Sequence, residues 1–257
     1  MCLILFAYRC HPDYPLVVAA NRDEFHARPT KAMHGWPDKP GIVAGRDLQG
    51  GGTWLGLHQN GKFAALTNIR DPEEQGRSWP RSRGEIVCSY LQSPASALDY
   101  IETLRRELKF YAGFNLLLND NNEFLHYFSG RTGEFRELEP GIYGLSNGEL
   151  DTPWPKVVSG KSALAEVLES GPNIQDLLSI LADTSIIPDI HLPDTGVGLA
   201  KERLLSPRFI RNPQYGTRCS TVVLRKANRE TTVEETSFDA QGNSTGSVSH
   251  SWAEQPA

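Results

Sequence analysis

The 257-residue sequence is poor in cysteine, with four in all, and none belongs to a CxxC pair. At positions 2, 10, 88 and 219 they are too dispersed for a disulfide framework or a structural zinc site, so no metal is expected. A basic excess is also missing: 26 Lys and Arg against 31 Asp and Glu leave a formal charge of −5. That mild acidity speaks against a nucleic-acid partner or an anionic-membrane surface. No apolar run approaches the roughly 20 residues that a membrane span needs. The opening MCLILFAY is too short to span and lacks the basic flank and cleavage site of a signal peptide. No repeat period is visible. The expectation is a single domain over residues 1–257, cytoplasmic, that takes a small-molecule substrate or ligand.

What is present begins with a hairpin. Leu3 to Tyr8 and Leu16 to Ala20 are continuous apolar runs, and RCHPDYP between them carries Pro12 and Pro15, which break a ladder. A strand apolar on both faces is covered on both sides. A turn centred near Pro12 makes paired residue numbers sum to about 24, which sets Cys2 opposite Arg22. Residues 29–52, with Pro29, Pro37, Pro40 and Gly50-Gly51-Gly52, read as irregular loop. Strands are expected at 53–57 and 62–68, joined by the Asn60-Gly61 turn. A polar loop at 71–82 follows, then a helix from Ala95 to about Leu108 with Ser93-Pro94 at its start. Further strands read at 114–118, 123–128 and 141–145, the first two separated by NDNN. Helices read near 160–169 and 174–183, and strands near 219–225 and 231–238. The tail from Gln241 reads as a last edge strand or a frayed end. Blocks of strands and helices indicate an α+β fold with antiparallel sheets rather than parallel βαβ units.

Cysteine at position 2 carries a chemical implication. Removal of the initiator methionine would leave a thiol and a free α-amine on one residue. An α-amine with a reference pKa of roughly 7.7–8.0 can act as base for the thiol beside it. The second feature is Asn21-Arg22-Asp23-Glu24 at the end of the second strand, which the hairpin register brings beside Cys2. There Arg22 would stabilise the thiolate, Asp23 hold the α-ammonium and Asn21 donate to an oxyanion, with Glu24 a further substrate contact. The competing reading is a buried structural thiol and an ordinary solvated turn. Arg218, entering a late strand, would meet a substrate carboxylate or form a surface ion pair. Trp54 and Trp154 would line a pocket or pack in the core. The three glycines at 50–52 let a loop pass close to another backbone.

Several blocks together resemble the NRDE family, also called the transport and Golgi organisation 2 family. They are MCLI at the start, AANRDEFHARP at 19–29, GRDLQGGGTWLG at 45–56, AALTNIR at 64–70, GFNLLL at 113–118, YGLSNGELDTPWPK at 143–156 and YGTR at 215–218. The resemblance implies the four-layer αββα sandwich of the N-terminal-nucleophile (Ntn) hydrolases. Within that superfamily the start is similar to cysteine acylases, which begin Met-Cys and carry an Arg and an Asp after the second strand. On that likeness Cys2 matches the nucleophile, Arg22 and Asp23 the Arg/Asp pair, and Asn147 in LSNG the oxyanion-binding amide. The acylases separate Arg and Asp by two residues, whereas here they are adjacent. Asn68 competes with Asn147 as oxyanion donor.

Two functions follow from the resemblance. One is an amidohydrolase in which Cys2 forms an acyl-thioester, with no cofactor required. The other is a non-catalytic intracellular carrier of haem, acyl-CoA or another lipid, in a pocket of hydrolase origin. For haem, the axial-ligand candidates are Cys2, Cys10 and the early histidines His11, His26, His34 and His58.

Overall fold

The computed structural model describes residues 2–74, 76–120 and 124–254. Met1, Gln75, residues 121–123 (the second half of NDNN and the expected start of the next strand) and the end of the tail (255–257) lie outside the described residues.

The first apolar run forms β1 (Cys2–Tyr8) and the second β2 (Leu16–Phe25). Their pairing follows the sum of 24, with Cys2 opposite Arg22 and Tyr8 opposite Leu16. β2 also pairs with β11 (Tyr215–Arg225), whose own neighbours lead on to β12 (Glu230–Phe238) and β13 (Ser244–Ala253). On the other side β1 pairs with β10 (Gly141–Leu145), giving the order β10-β1-β2-β11-β12-β13. A second sheet runs as a meander. It contains β3 (Thr30–Gly35), β4 (Ile42–Asp47), β5 (Leu55–His58), β6 (Phe63–Asn68), β7 (Phe114–Asp120), β8 (Phe124–Ser129) and β9 (Phe135–Glu137). Both sheets are antiparallel throughout their described pairs.

The two-sided apolarity of the strands explains the layers. Alternate side chains of a strand point to opposite faces. Ile4, Phe6 and Tyr8 therefore pack between the sheets with Leu57, Phe63, Leu117 and Tyr127. Leu3, Leu5 and Ala7 face α3 (Pro155–Ser170) and α4 (Ile174–Leu181) through Val157, Leu164, Leu177 and Leu181. On the far side, Ala64, Leu66, Leu116 and Leu118 pack against α1 (Gly84–Gln92) and α2 (Ala97–Arg105). The layers are helices, sheet, sheet, helices: the αββα sandwich.

Several local expectations change. Residues 29–52 are not irregular, because β3 and β4 occupy most of them and Pro29, Pro37 and Pro40 all fall outside the strands. β3 is an edge strand with only Met33 fully buried, so it shows no apolar run to read. The helix expected from Ala95 splits from a preceding one. Ser93 ends α1, while Ser96 caps α2 by accepting from the Asp99 amide at 3.1 Å. α3 starts five residues early at Pro155, a position where a missing N–H costs nothing. A further helix, α5 (Leu199–Leu205), lies in the proline-interrupted segment. The tail forms an edge strand, β13, tied to β12 by hydroxyl pairs such as Thr236–Ser247 at 2.8 Å.

The glycine run acts at a close approach. Thr53 N–H donates to the Gly84 carbonyl at 3.1 Å, and a Cβ on Gly52 would fall 2.4 Å from that same carbonyl group. Backbone on both sides cannot yield as a side chain could. Gly52→Ala is therefore expected to cost about 1–3 kcal/mol as overpacking, read as a lowered urea midpoint with unchanged slope. A midpoint equal to wild type would show that α1 shifts freely.

Candidate functional site

Where β1 begins, a cavity of about 150 Å³, open to solvent on one side, lies between the two sheets. Cys2, Arg22, Asp23 and Glu24 form one wall, Trp54, Leu66 and Asn68 another, and Ser82, Arg83 and Gly84 at the start of α1 a third. Cys2 belongs to the same face of β1 as Ile4 and Phe6, but the sandwich opens at its end of the strand and charged side chains replace the apolar core. The strand register fixes Arg22 directly across from it, with Cys219 on the opposite flank of Arg22. Burial pushes the Cys2 thiol up and Asp23 adds to this; Arg22 and the Asp23 backbone amide oppose it.

Asp23 is buried, and two hydroxyl groups donate to it. Thr217 Oγ1 donates to Asp23 Oδ1 at 2.8 Å, while Thr217 in turn accepts from the Ile210 amide at 2.9 Å. Tyr215 Oη donates to the Asp23 carbonyl at 3.0 Å. Burial raises the Asp23 carboxyl, and the chief opposing influence is Lys156. That lysine is buried in the helix layer and donates through Nζ to the Leu205 carbonyl at 3.0 Å. Desolvation pushes it down to about 8, with Asp23 opposing. Behind it, Arg70 and Glu202 make a buried ion pair at 2.7 Å, and the Arg70 guanidinium lies 4.7 Å over the Trp154 ring.

Sequence reasoning missed Lys156, although a signal existed. It falls on the stripe 156, 160, 164, 168 of α3, all of whose members are buried. A lysine on an apolar stripe requires a buried counter-charge or a lowered pKa. Since its folded pKa lies below the ordinary value of 10.5, the unfolded chain holds the proton more tightly between about 8 and 10.5. Stability should rise with pH across that window, while the cost of the buried charge is present in full below it. Relative to wild type, Lys156→Met should lose this rise, on the order of 3 kcal/mol, in urea unfolding at pH 8, 9 and 10. Parallel profiles for the two proteins would overturn the assignment.

The structure separates the two asparagine candidates. Asn68, at the end of β6, lines the cavity. Asn147 is buried behind it, donating through Nδ2 to the Asn68 carbonyl at 2.7 Å and accepting from the Arg70 amide at 2.8 Å. Asn147 braces Asn68 and is not part of the lining. Asn21 does not reach the cavity either: alternation turns it to the helix layer. There Nδ2 donates to the Leu181 and Arg208 carbonyls at 2.9 and 2.8 Å, and Oδ1 accepts from Ser220 at 2.6 Å. Arg218 sits at the bulge of β11 and donates to the carbonyls of Phe25 and Arg28 and to Thr30 Oγ1, neither an ion pair nor a cavity contact. Glu24 and Trp54 do line the cavity; Trp154 does not.

Among the lining residues that went unread in the sequence, three bear on the chemistry. Cys219, expected to be a packing thiol, and Glu235 come from strands that the chain reaches some 200 residues after Cys2. Glu235 Oε1 accepts from the Met33 amide at 2.7 Å, and burial raises its carboxyl. Arg83, the third, sits at the start of a helix that the sequence did not announce. Cys10, His11, His26, His34 and His58 are outside the lining, so of the haem-ligand candidates only Cys2 faces the cavity.

Comparison with known proteins agrees with this architecture. The family model described as Transport and Golgi organisation 2 matches residues 1–240. The chain is 36% identical to the Transport and Golgi organization protein 2 homolog of Bos taurus and 35% to that of Homo sapiens. In each case 93% of both chains is covered. Among solved structures, the Caenorhabditis elegans N-acylethanolamine-hydrolyzing acid amidase ortholog superposes with a TM-score of 0.54 at 10% identity, covering 87% of this chain and 92% of that one. Penicillin V acylase from Agrobacterium tumefaciens gives 0.51 at 14% identity, covering 92% and 83%. These likenesses establish the sandwich of the N-terminal-nucleophile hydrolases, and the sequence match establishes that the chain belongs to the Transport and Golgi organisation 2 family.

Proposed function

We propose that the protein is an amidohydrolase that cleaves C–N amide bonds through Cys2. The observation that carries this reading is the placement of Cys2. It is the first residue of β1, its side chain lines a charged cavity, and the backbone register fixes Arg22 opposite it.

In this mechanism Met1 is removed, and the α-amine of Cys2 takes the thiol proton. The thiolate attacks the amide carbonyl carbon, and the Asn68 side-chain amide donates to the oxyanion. Loss of one such donor typically costs roughly 10²–10³ in rate. The C–N bond breaks as the α-ammonium returns its proton to the leaving nitrogen. Water then adds to the thioester carbonyl; the product leaves as a carboxylic acid and the thiol regains its proton. Asp23, fixed by Thr217 and balanced by Lys156, holds the α-ammonium in place.

Intact-mass measurement of the protein isolated from cells should show Met1 absent, and an electrophilic acyl probe should label Cys2 alone. A retained Met1 sinks the free-amine mechanism. Saturable binding of haem or a long-chain acyl-CoA, unaltered by Cys2→Ala and unaccompanied by amide turnover, would replace the enzyme with a carrier.

A further inference from the structure

Among the charges around Cys2, most are already satisfied within the protein. Arg28 donates through Nε and Nη2 to Asp47 at 2.9 and 2.6 Å. Arg46 grips Asp38 through two bonds at 2.7 and 2.9 Å. Glu235 is turned inward onto the Met33 amide and Thr221. Two guanidinium groups differ. Arg22 has its nearest described carboxylate oxygen, on Glu24, at 4.0 Å. Arg83 donates through Nη1 to the Gly113 carbonyl at 3.0 Å, and no described carboxylate comes within ion-pair distance of it. It is more than half withdrawn from solvent, and burial lowers its pKa; Glu74, which accepts from the Gly113 amide, opposes this most, followed by Cys2 and Glu24.

Arg22 and Arg83 approach from different layers. Arg22 comes from the first sheet, while Arg83 precedes α1, which the Gly52–Gly84 contact presses against the second sheet. An amide carbonyl at the Cys2 sulfur would have one cation opposite it across the strand pair and another on the far wall. A planar guanidinium tethered by one carbonyl keeps N–H groups for a second partner, and the one it matches best is a carboxylate. The size of the space adds a limit. The cavity is open to solvent on one side, so its volume of about 150 Å³, well below the roughly 300–1,000 Å³ of pockets for drug-sized ligands, limits the part of the substrate seated beside Cys2.

Resting on the amidohydrolase reading, we infer that the substrate is a small amide bearing a free carboxylate, and that Arg83 is the residue that recognises this carboxylate. The negative group excludes purely apolar acyl amides from productive binding and places the carbonyl against Cys2. Charge-based recognition of this kind weakens as salt rises.

The test uses two matched pairs on the full-length protein. Glutaryl-p-nitroanilide against valeryl-p-nitroanilide puts the carboxylate on the acyl side. N-acetylglycine against N-acetylglycine methylamide puts it on the amine side. In one of the pairs the charged member should be preferred at least tenfold in kcat/KM. In Arg83→Met the preference should collapse toward one, and Arg83→Lys should restore part of it. A parallel measurement uses Cys2→Ala, which cannot turn over: calorimetry should show the charged member binding at least tenfold tighter, and Arg83→Met in that background should remove the difference. Equal turnover of both members, or a preference that survives Arg83→Met in a protein with wild-type thermal unfolding, overturns the inference while leaving the amidase. Preferential, Arg83-dependent binding without any turnover upholds carboxylate recognition and overturns the amidase instead. Absence of both turnover and charged-member binding overturns the inference.

Discussion

Replacing Cys2 by alanine is expected to lower amide hydrolysis by at least about 10³-fold, because the bond-forming atom itself is removed. The fold should persist. Cys2 is the end residue of β1 and lines a cavity rather than the packed core, so the cost in stability should stay within about 1 kcal/mol. The measurement pairs steady-state turnover with urea unfolding. A variant that keeps more than a tenth of the activity would show that Cys2 is not the nucleophile and would move attention to Cys219, the other thiol of the cavity. Burial, with Glu235 beside it, raises that thiol well above its ordinary value. Burial raises the Cys2 thiol too, but Cys219 has no α-amine to take its proton and so lacks the base that the mechanism gives Cys2.

A second large effect is expected far from the cavity. Arg225, at the end of β11, is fully buried and pairs through Nε with Glu254 at 2.9 Å. Its Nη1 donates to Asn119 Oδ1 at 2.7 Å and its Nη2 to the Gly61 carbonyl at 2.8 Å, so one side chain fastens the first sheet to β7 and the β5–β6 turn of the second. Burial lowers it to about 10, and Glu254 is the main influence holding the charge. Glu254→Ala strands a guanidinium in the interior and should cost about 3–5 kcal/mol. Replacing both partners, Arg225→Met with Glu254→Leu, should recover much of that loss. Urea denaturation of the two variants tests this. A single variant within about 1 kcal/mol of wild type would mean that water or other groups replace Glu254.

The parts of this molecule written into short stretches of sequence were readable. MCLILFAY and LVVAA, separated by a proline-rich turn, gave the central hairpin and its register, and the register alone placed Arg22 against Cys2. Asn60-Gly61 announced the β5–β6 turn, where Gly61 takes a φ of +98°. Less was visible where burial is one-sided or partial. β3 and the three-residue β9 lie at sheet edges and present few apolar residues, so no period stands out. α1 follows a polar loop and begins on glycine without a side-chain cap, which removed the usual start signal. In the cavity the division is similar. Arg22, Asp23 and Glu24 are adjacent to one another and were read together. Arg83, Lys156, Cys219 and Glu235 arrive through tertiary packing, each from a different element. Asn21 and Arg218 looked equivalent to their neighbours, but strand alternation and a bulge send them elsewhere.

The position of β2 carries one more consequence. It is enclosed by β1 on one side and β11 on the other, with ten pairs to β11 and both faces covered. Amides in the middle of such a strand become accessible to deuterium only when the whole sandwich opens. Arg22 is thus anchored to a strand hydrogen-bonded on both sides rather than to a loop. Loss of activity during denaturation should coincide with global unfolding, with no earlier stage in which the protein remains folded but the cationic wall of the cavity has come apart.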